Sequence, residues 1–252
     1  MQPDKQLIRQ RFQRAAQSYD SQALTQQQTA EHLLDLLEEV GGSRFEQVLE
    51  IGCGTGLLTR RLLARCSGIR ELSLNDLVPD FAARISLPAP GPSLVFLPGD
   101  IETLSLPASC DLIISASALH WIHDLDSLLA RLSRHLKPGG MLAFSLYGPD
   151  NLQEIRSLSG KGLDYRSLAE VKALTARHVP VCRWAEERIR LAFASPQEVL
   201  RHLHRTGVNA LERVPWTRAE LRRFCAEYSR LFSDASGGVR LTWHPLYLIG
   251  QK

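Results

Sequence analysis

At 252 residues the chain is long enough for one large α/β domain or two small ones, with one the expectation, and long enough to bury its core without staples. Its 44% hydrophobic and 23% charged residues exclude disordered, collagen-like and disulfide-scaffold classes, and a net charge of +3 is too mild to mark a nucleic-acid binder. Five cysteines, odd in number and without a CxxC pair, indicate neither a disulfide framework nor a structural zinc site, and read as reduced thiols of a cytoplasmic protein.

The amino terminus, MQPDKQLIRQRF, is polar from the start and is not read as a secretory signal. The longest uncharged runs, 112–123 and 85–99, fall short of the roughly 20 apolar residues that a membrane span needs. Leu7, Ile8, Phe12 and Ala15 recur at helical spacing, and Leu33, Leu34, Leu36, Leu37 and Val40 form a second stripe ending at Gly41-Gly42, so two helices are predicted over a cap of residues 1–42. Strands and helices then alternate through 43–147. Strand patterns lie at 47–51, 71–75, 94–97, 111–115 and 141–147, with helical patterns at 56–66, 78–85 and 124–136 between them. Such alternation predicts a doubly wound, mainly parallel sheet whose ligand sits at the carboxyl ends of its central strands. After Tyr147 the rhythm changes: a helical stretch at 151–158, a break at Gly160 and Gly162, and a helix over Leu168–Ala176 read as an insertion and substrate region spanning 148–238. Ser195-Pro-Gln-Glu198 and Thr217-Arg-Ala-Glu220 read as capping boxes, and 239–249 as one terminal strand within a final segment 239–252.

The strongest chemical motif is Val48-Leu-Glu-Ile-Gly-Cys-Gly-Thr-Gly56, a strand running into a glycine-rich turn at a helix start. A dinucleotide fingerprint would need glycine at 57, where the chain has Leu57. The GxGxG spacing behind Glu50 instead resembles the first motif of the class I S-adenosylmethionine methyltransferases, which implies a Rossmann-like fold with a seven-stranded sheet. A carboxylate at Glu50 repels pyrophosphate but suits a ligand with a sulfonium and an ammonium group. Gly52, Cys53, Gly54 and Gly56 are assigned to that cofactor with it. Asp76, after the second strand, stands where a doubly wound fold offers an acceptor to ribose hydroxyls. Asp100 matches the family position that contacts the adenine amino group. Leu77, Ile101 and Ser115, at the same strand ends, complete the set. No metal is implied, since His202 and His204 are two apart on a predicted helix and His120 and His123 have no further ligand near in sequence.

A closer resemblance covers nearly the whole chain. The stretch Lys5 to Tyr19 followed by Gln26-Gln-Gln, the segment Ser115-Ala-Ser-Ala-Leu-His-Trp121, the run Phe144 to Arg156 and the tail Leu241-Thr-Trp-His-Pro-Leu-Tyr247 are similar to the malonyl-acyl-carrier-protein O-methyltransferases of biotin synthesis. Departures stand at Ala116 and His120, where the family commonly has asparagine and glutamine, and in FSLYGP for FSTFGP. The resemblance implies esterification of a malonyl carboxylate, a group already ionised at neutral pH that needs no general base. On this reading Tyr19 closes over the cofactor, Trp121 walls the pocket, Arg156 pairs with the malonyl carboxylate, and His244 orients a pocket group. Residues 156–230 hold 15 Lys/Arg against 8 Asp/Glu. Arginines such as Arg218, Arg222 and Arg223 could steer an acidic carrier protein, or simply form the solvated face of a helix whose apolar side is Leu221, Phe224, Cys225 and Tyr228. Two alternatives stay open: a methyltransferase for a quinone precursor or other small carboxylic acid, and a non-catalytic assembly factor. Neither nucleic acid nor membrane is implied as a partner.

Overall fold

Residues 3–86, 91–106, 109–208, 216–234 and 237–252 are described by the computed structural model. The first two residues, 87–90 of the uncharged run 85–99, Glu212 and Arg213 of the basic region, and residues 235–236 of the insertion lie outside the described residues. Three helices open the chain, α1 (Lys5–Ala15), α2 (Tyr19–Gln22) and α3 (Leu24–Glu39), where the apolar periodicity predicts two. The break comes where that periodicity lapses. Ser18 Oγ donates to the carbonyls of Ala15 (3.2 Å) and of Arg205 (2.9 Å), which ends α1 and ties the turn to a distant helix.

The alternating section follows as β1 (Gln47–Ile51), α4 (Leu57–Arg65), β2 (Glu71–Asp76), a 3-10 turn (Pro79–Arg84) at the predicted helix 78–85, β3 (Ser93–Pro98), β4 (Cys110–Ser115), α5 (Leu125–His135) and β5 (Leu136–Tyr147). Then come α6 (Gln153–Ser159), α7 (Leu168–Ala176), β6 (Val181–Glu186), β7 (Ile189–Phe193), α8 (Pro196–Arg205), α9 (Arg218–Phe232), β8 (Val239–Trp243) and β9 (Pro245–Gln251). A seven-stranded sheet in the order β3-β2-β1-β4-β5-β9-β6 forms the centre, its first five strands parallel and β9 and β6 antiparallel to their neighbours. Strand parity divides the core into two layers, because successive side chains point to opposite faces. Val48, Leu74, Ile114 and Ala143 face α3 and α4, while Leu49, Ile113, Leu142 and Phe144 face α5 and α7. Leu33, Leu34, Leu36 and Leu37 of α3 are each at most 1% exposed, and at about 1.5–3 kcal/mol per buried leucine this helix alone supplies much of one layer.

The expected single strand 239–249 is two. β8 pairs with β7 in a separate two-stranded sheet, and β9 enters the main sheet between β5 and β6. The chain leaves the ladder at His244, whose N–H donates to Asn151 Oδ1 (3.2 Å) and whose carbonyl accepts from Gly148 (2.7 Å), and Pro245 lacks an N–H with which to continue. Strands β6 and β7 went unread in the sequence because charged residues such as Arg183 and Glu186 interrupt the apolar alternation, as suits a sheet edge. The box at Thr217 closes both ways with Glu220. At Ser195 only half forms: Glu198 N–H reaches Ser195 Oγ (3.4 Å), but the Glu198 carboxylate accepts from Ala194 (3.2 Å). No helix among the described residues is long and apolar enough to cross a membrane.

A third apolar cluster joins α6, α8 and α9 to the small sheet around Trp243 and Tyr228. Glu154 of α6, fully buried, accepts from Thr242 N (3.0 Å) and Thr242 Oγ1 (2.6 Å) and so fixes the insertion to β8. Replacing Glu154 by alanine strands both donors, and unfolding in urea is expected to show a loss of about 2–4 kcal/mol. Glu154→Gln, which keeps an acceptor, should lose less than half of that.

Candidate functional site

The strand order reverses between β1 and β4, and a cleft opens there at the carboxyl ends of the parallel strands. Its floor is the glycine turn after β1. The amides of Gly52 and Cys53 donate to the Asn75 carbonyl (2.8 and 3.0 Å), that of Gly54 to Asp76 Oδ2 (2.8 Å), and that of Gly56 to the Cys53 carbonyl (2.9 Å). With these donors committed inside the chain, the turn does not present the open nest of N–H groups that a phosphate needs. Gly52, at φ +71°, lies so close to the loop after β4 that an added Cβ would stand 2.4 Å from Ala118 Cβ. Gly54, at φ +54°, holds a left-handed backbone that brings its amide to Asp76.

Carboxylates dominate the walls. Asp76 also accepts from Val78 N (2.8 Å) through Oδ1, and burial outweighs these bonds to push its carboxyl up to about 6. Glu50 lies beneath the turn on the α4 side, 1% exposed, and neither carboxyl oxygen has a hydrogen-bond partner among the described residues. Desolvation raises it to about 8; Thr59 is near enough to offset part of this, although its own hydroxyl is equally unpartnered. Asp100 Oδ1 accepts from Glu102 N (3.0 Å), and Lys5 of α1 reaches across to its carboxylate (2.6 Å) and to Glu102. Carboxylates packed under and around a cleft in which the amides of Gly52, Cys53, Gly54 and Gly56 are taken fit a ligand bearing positive charge and hydroxyl donors better than pyrophosphate.

Tyr19, Phe12, Ile8 and Lys5 roof the cleft, and Trp121 closes one side. Asp20 clasps the glycine turn through Thr55 Oγ1 and through Arg60 Nη2 (3.1 Å), which fixes Tyr19 over the opening. Burial, and then the nearby Asp76 and Asp20 charges, push the Tyr19 phenol well above its ordinary value, so it stays protonated. Trp121 and Tyr19 both meet Phe12 edge-on, with ring centres 6.1 and 6.2 Å apart.

Of the residues expected at the cofactor, the structure brings Gly52, Gly54, Asp76, Leu77, Asp100 and Ile101 to the cleft surface, with Tyr19 and Trp121 opposite. Glu50, Cys53, Gly56 and Ser115 stand behind it: Cys53 is buried in the α4 layer, Gly56 caps α4, and Ser115 Oγ donates to the Ile51 carbonyl (2.9 Å). Two of the expected substrate residues, Arg156 and His244, are not brought to this cleft. Arg156 lines a separate apolar pocket with Leu200 and Trp216; its guanidinium donates to the carbonyls of Pro149 and Asn151 (3.4 Å) and lies 5.1 Å over the Tyr165 ring, so its donors clamp a loop. Leu152, at φ +51°, precedes α6 as its N-cap. His244 is 2% exposed at the β8–β9 break, where Nδ1 accepts from Asp150 N (3.0 Å) and Nε2 faces Glu186 (3.3 Å). It braces a loop away from the cleft. Sequence reasoning missed Asn75, whose Nδ2 donates to Leu97 O (2.9 Å) and Gly99 O (3.0 Å), and Lys5; a polar residue closing an apolar strand beside Asp76 marks the first, and nothing local marks the second.

Residues 49–144 match the methyltransferase domain family. The malonyl-[acyl-carrier protein] O-methyltransferase of Chlorobium luteolum is 41% identical over 254 residues, covering 99% of this chain and 96% of its own. That of Prosthecochloris aestuarii is also 41% identical, covering 99% and 94%. Among solved structures, the YcgJ protein of Bacillus subtilis superposes with a TM-score of 0.61 at 16% identity over 88% of this chain and 98% of that one. The fold is the Rossmann-like α/β fold of class I methyltransferases.

The raised carboxyls set a pH dependence of fixed sign. Glu50 takes up a proton more readily folded than unfolded, so its contribution to stability is intact below its ordinary value of 4.5 and is lost as pH rises through about 8. Asp76 acts in the same direction between 3.8 and about 6. Thermal melts of the ligand-free protein should show Glu50→Gln more stable than wild type at pH 8.5 and close to it at pH 5; an offset independent of pH would refute this origin.

Proposed function

The chain belongs to the malonyl-[acyl-carrier protein] O-methyltransferase family, and from that membership we propose that it transfers a methyl group from S-adenosyl-L-methionine to the free carboxylate of a malonyl thioester on acyl carrier protein. The carrying observation is the 41% identity maintained over 99% of the chain. The cleft supports the donor: the glycine turn, Asp76, Leu77, Asp100 and Ile101 are the residues that would hold it. When bound, that cofactor supplies an electrophilic methyl on a sulfonium, accepted by a carboxylate oxygen as the carbon–sulfur bond breaks and its electron pair returns to sulfur. The protein need not remove a proton, since the acceptor is ionised near pH 7.

What the chain contributes is position and dryness. Phe12, Tyr19 and Trp121 cover the cleft with aromatic surface, and joining an anion to a cation is favoured where water is excluded. Asp76 and Asp100 already accept backbone N–H bonds, which suits them to binding roles. The partner is read as acidic: Arg218, Arg222 and Arg223 are exposed on α9 and form no ion pair among the described residues, so their field reaches outward. The reaction belongs to biotin synthesis, and we place the protein in the cytoplasm.

Mass spectrometry of malonylated carrier protein incubated with the donor should show one added methyl, removed by mild ester hydrolysis. Failure of any malonyl thioester to gain mass would overturn the assignment. Asp76→Asn should weaken donor binding in calorimetry by about 10- to 100-fold, as expected for losing charged hydrogen bonds. Raising ionic strength from 0.05 to 0.5 M should raise KM for the carrier-bound substrate, and Arg218→Ala/Arg222→Ala/Arg223→Ala should flatten that response; a KM indifferent to salt would remove steering from the account.

A further inference from the structure

A second cavity lies against the cleft, with Leu119 and Ile122 as their common wall. The 3-10 turn Leu119–Trp121 after β4 presents neighbouring side chains to the two spaces: Trp121 to the cleft and His120 to the cavity. His120 Nδ1 is inaccessible to solvent and has no hydrogen-bond partner among the described residues. Its ring is wedged between Trp121 and Tyr147, with centres 4.8 Å from each. A buried ring nitrogen left unpaired costs stability, and nothing in the fold uses it. Burial also depresses this histidine to about 3, so it stays a neutral imidazole.

The rest of the cavity is suited to an acyl group with polar oxygens. Tyr147, on its inner side, donates from its hydroxyl to Ser117 Oγ (3.1 Å), and Ser117 itself lines the cleft at a strained φ of +56°. Arg166 stands exposed at the cavity's rim beside Asp164, and its charge also acts on Asp124 and Glu170, with no contact close enough to be an ion pair among the described residues.

We infer that cleft and cavity form one substrate groove divided by the sill of Leu119 and Ile122, in which the Nε2 edge of His120 hydrogen-bonds the thioester carbonyl of the acyl substrate and Arg166 receives an anionic group of the carrier-bound arm. The inference rests on the proposed methyl transfer. The placement suits the acceptor: malonyl separates its carboxylate from the thioester carbonyl by one methylene, and the adjacent residues His120 and Trp121 line the two neighbouring spaces. The carboxylate lies beside Trp121 in the cleft while the carbonyl turns to His120. A neutral imidazole suits that oxygen, since it binds without drawing a counter-ion into a buried space. The same arrangement replaces Arg156, held on its loop, with Arg166 as the arginine facing substrate.

Steady-state kinetics on the full chain with a malonyl thioester of carrier protein tests this. His120→Leu should raise KM for the thioester about tenfold, with donor affinity by calorimetry within twofold of wild type. His120→Gln, which keeps a neutral donor, should restore KM to within threefold. Arg166→Ala, on an exposed residue that does not bear on folding, should raise KM and leave kcat unchanged. If wild type turns over the thioester and both His120→Leu and Arg166→Ala keep the wild-type KM, the groove is wrong and the methyl transfer stands. Loss of donor binding in His120→Leu without rescue by glutamine would make His120 a packing residue and overturn its role. Absence of turnover in wild type overturns the functional reading, and this inference with it.

Discussion

Two adjacent residues at the end of β2 hold the site together. The Asn75 carbonyl receives the amides of Gly52 and Cys53, the Asn75 side chain ties Leu97 and Gly99 at the end of β3, and the Asp76 carboxylate takes the amides of Gly54 and Val78. Three strand ends are thereby fixed by groups that are 2% and 7% exposed. Each bond contributes only about 1 kcal/mol net, but stranding any of these donors or acceptors in the interior costs about 1–3 kcal/mol, so the arrangement is far more rigid than its net stability suggests. The contact of Gly52 with Ala118 then sets the distance from this clamp to the loop after β4. Asp20, gripping Thr55 and Arg60, hangs the roof from the same turn. Cleft, roof and far wall thus take their positions from one short stretch of backbone.

That stretch is electrostatically costly. A folding problem alone would place no carboxylate at Glu50, where a leucine of the α4 layer would serve, and would not leave both its oxygens unpaired. The cost makes sense when a positively charged ligand is part of the balance, because a cation in the cleft would draw the desolvated Glu50 and Asp76 carboxyls back toward ionisation and be held by that charge. Lys5 supplies a related balance from within the chain, meeting Asp100 and Glu102 at the rim where solvent moderates the interaction.

The parallel half of the fold was legible because its central strands β1 and β4 are buried on both faces and its apolar runs are short and bounded by glycine or aspartate, as in Val48 to Gly56. The antiparallel end was not. β6 is mostly exposed at the sheet edge and β7 alternates exposed with half-buried residues in a two-stranded sheet, so their sequence reads as polar text, and His244 interrupts what looks like one strand with loop contacts made by Asn151 and Gly148. The same limit governs the site. Glycines and acids at strand ends announce themselves locally, whereas Lys5 meets Asp100 across 95 residues and the Arg156 guanidinium is taken up by the Pro149 and Asn151 carbonyls. Motifs locate a side chain along the chain; the direction in which it points depends on contacts remote in sequence.

Tyr147 shows how the two halves are joined. It ends β5 in the parallel sheet, yet its ring packs 5.2 Å from Trp243 at the centre of the insertion core and 4.8 Å from His120 behind the cleft, while its hydroxyl holds Ser117 on the cleft surface. Aromatic contacts of this kind are worth about 0.5–1.5 kcal/mol each beyond their area, enough to fix one arrangement of the wall. Burial keeps the phenol protonated, so it stays a donor. The cleft is therefore shaped by the glycine turn and the β2 clamp, and the neighbouring cavity by how Trp243 and His120 pack onto Tyr147. Substitutions deep in the insertion core that shift Trp243 act on the wall around His120 and Ser117 without touching Asp76 or Gly54. On the proposed methyl transfer, changes in that packing would alter the acceptor side and leave the donor side in place, which is the division of labour expected when one fold serves many substrates.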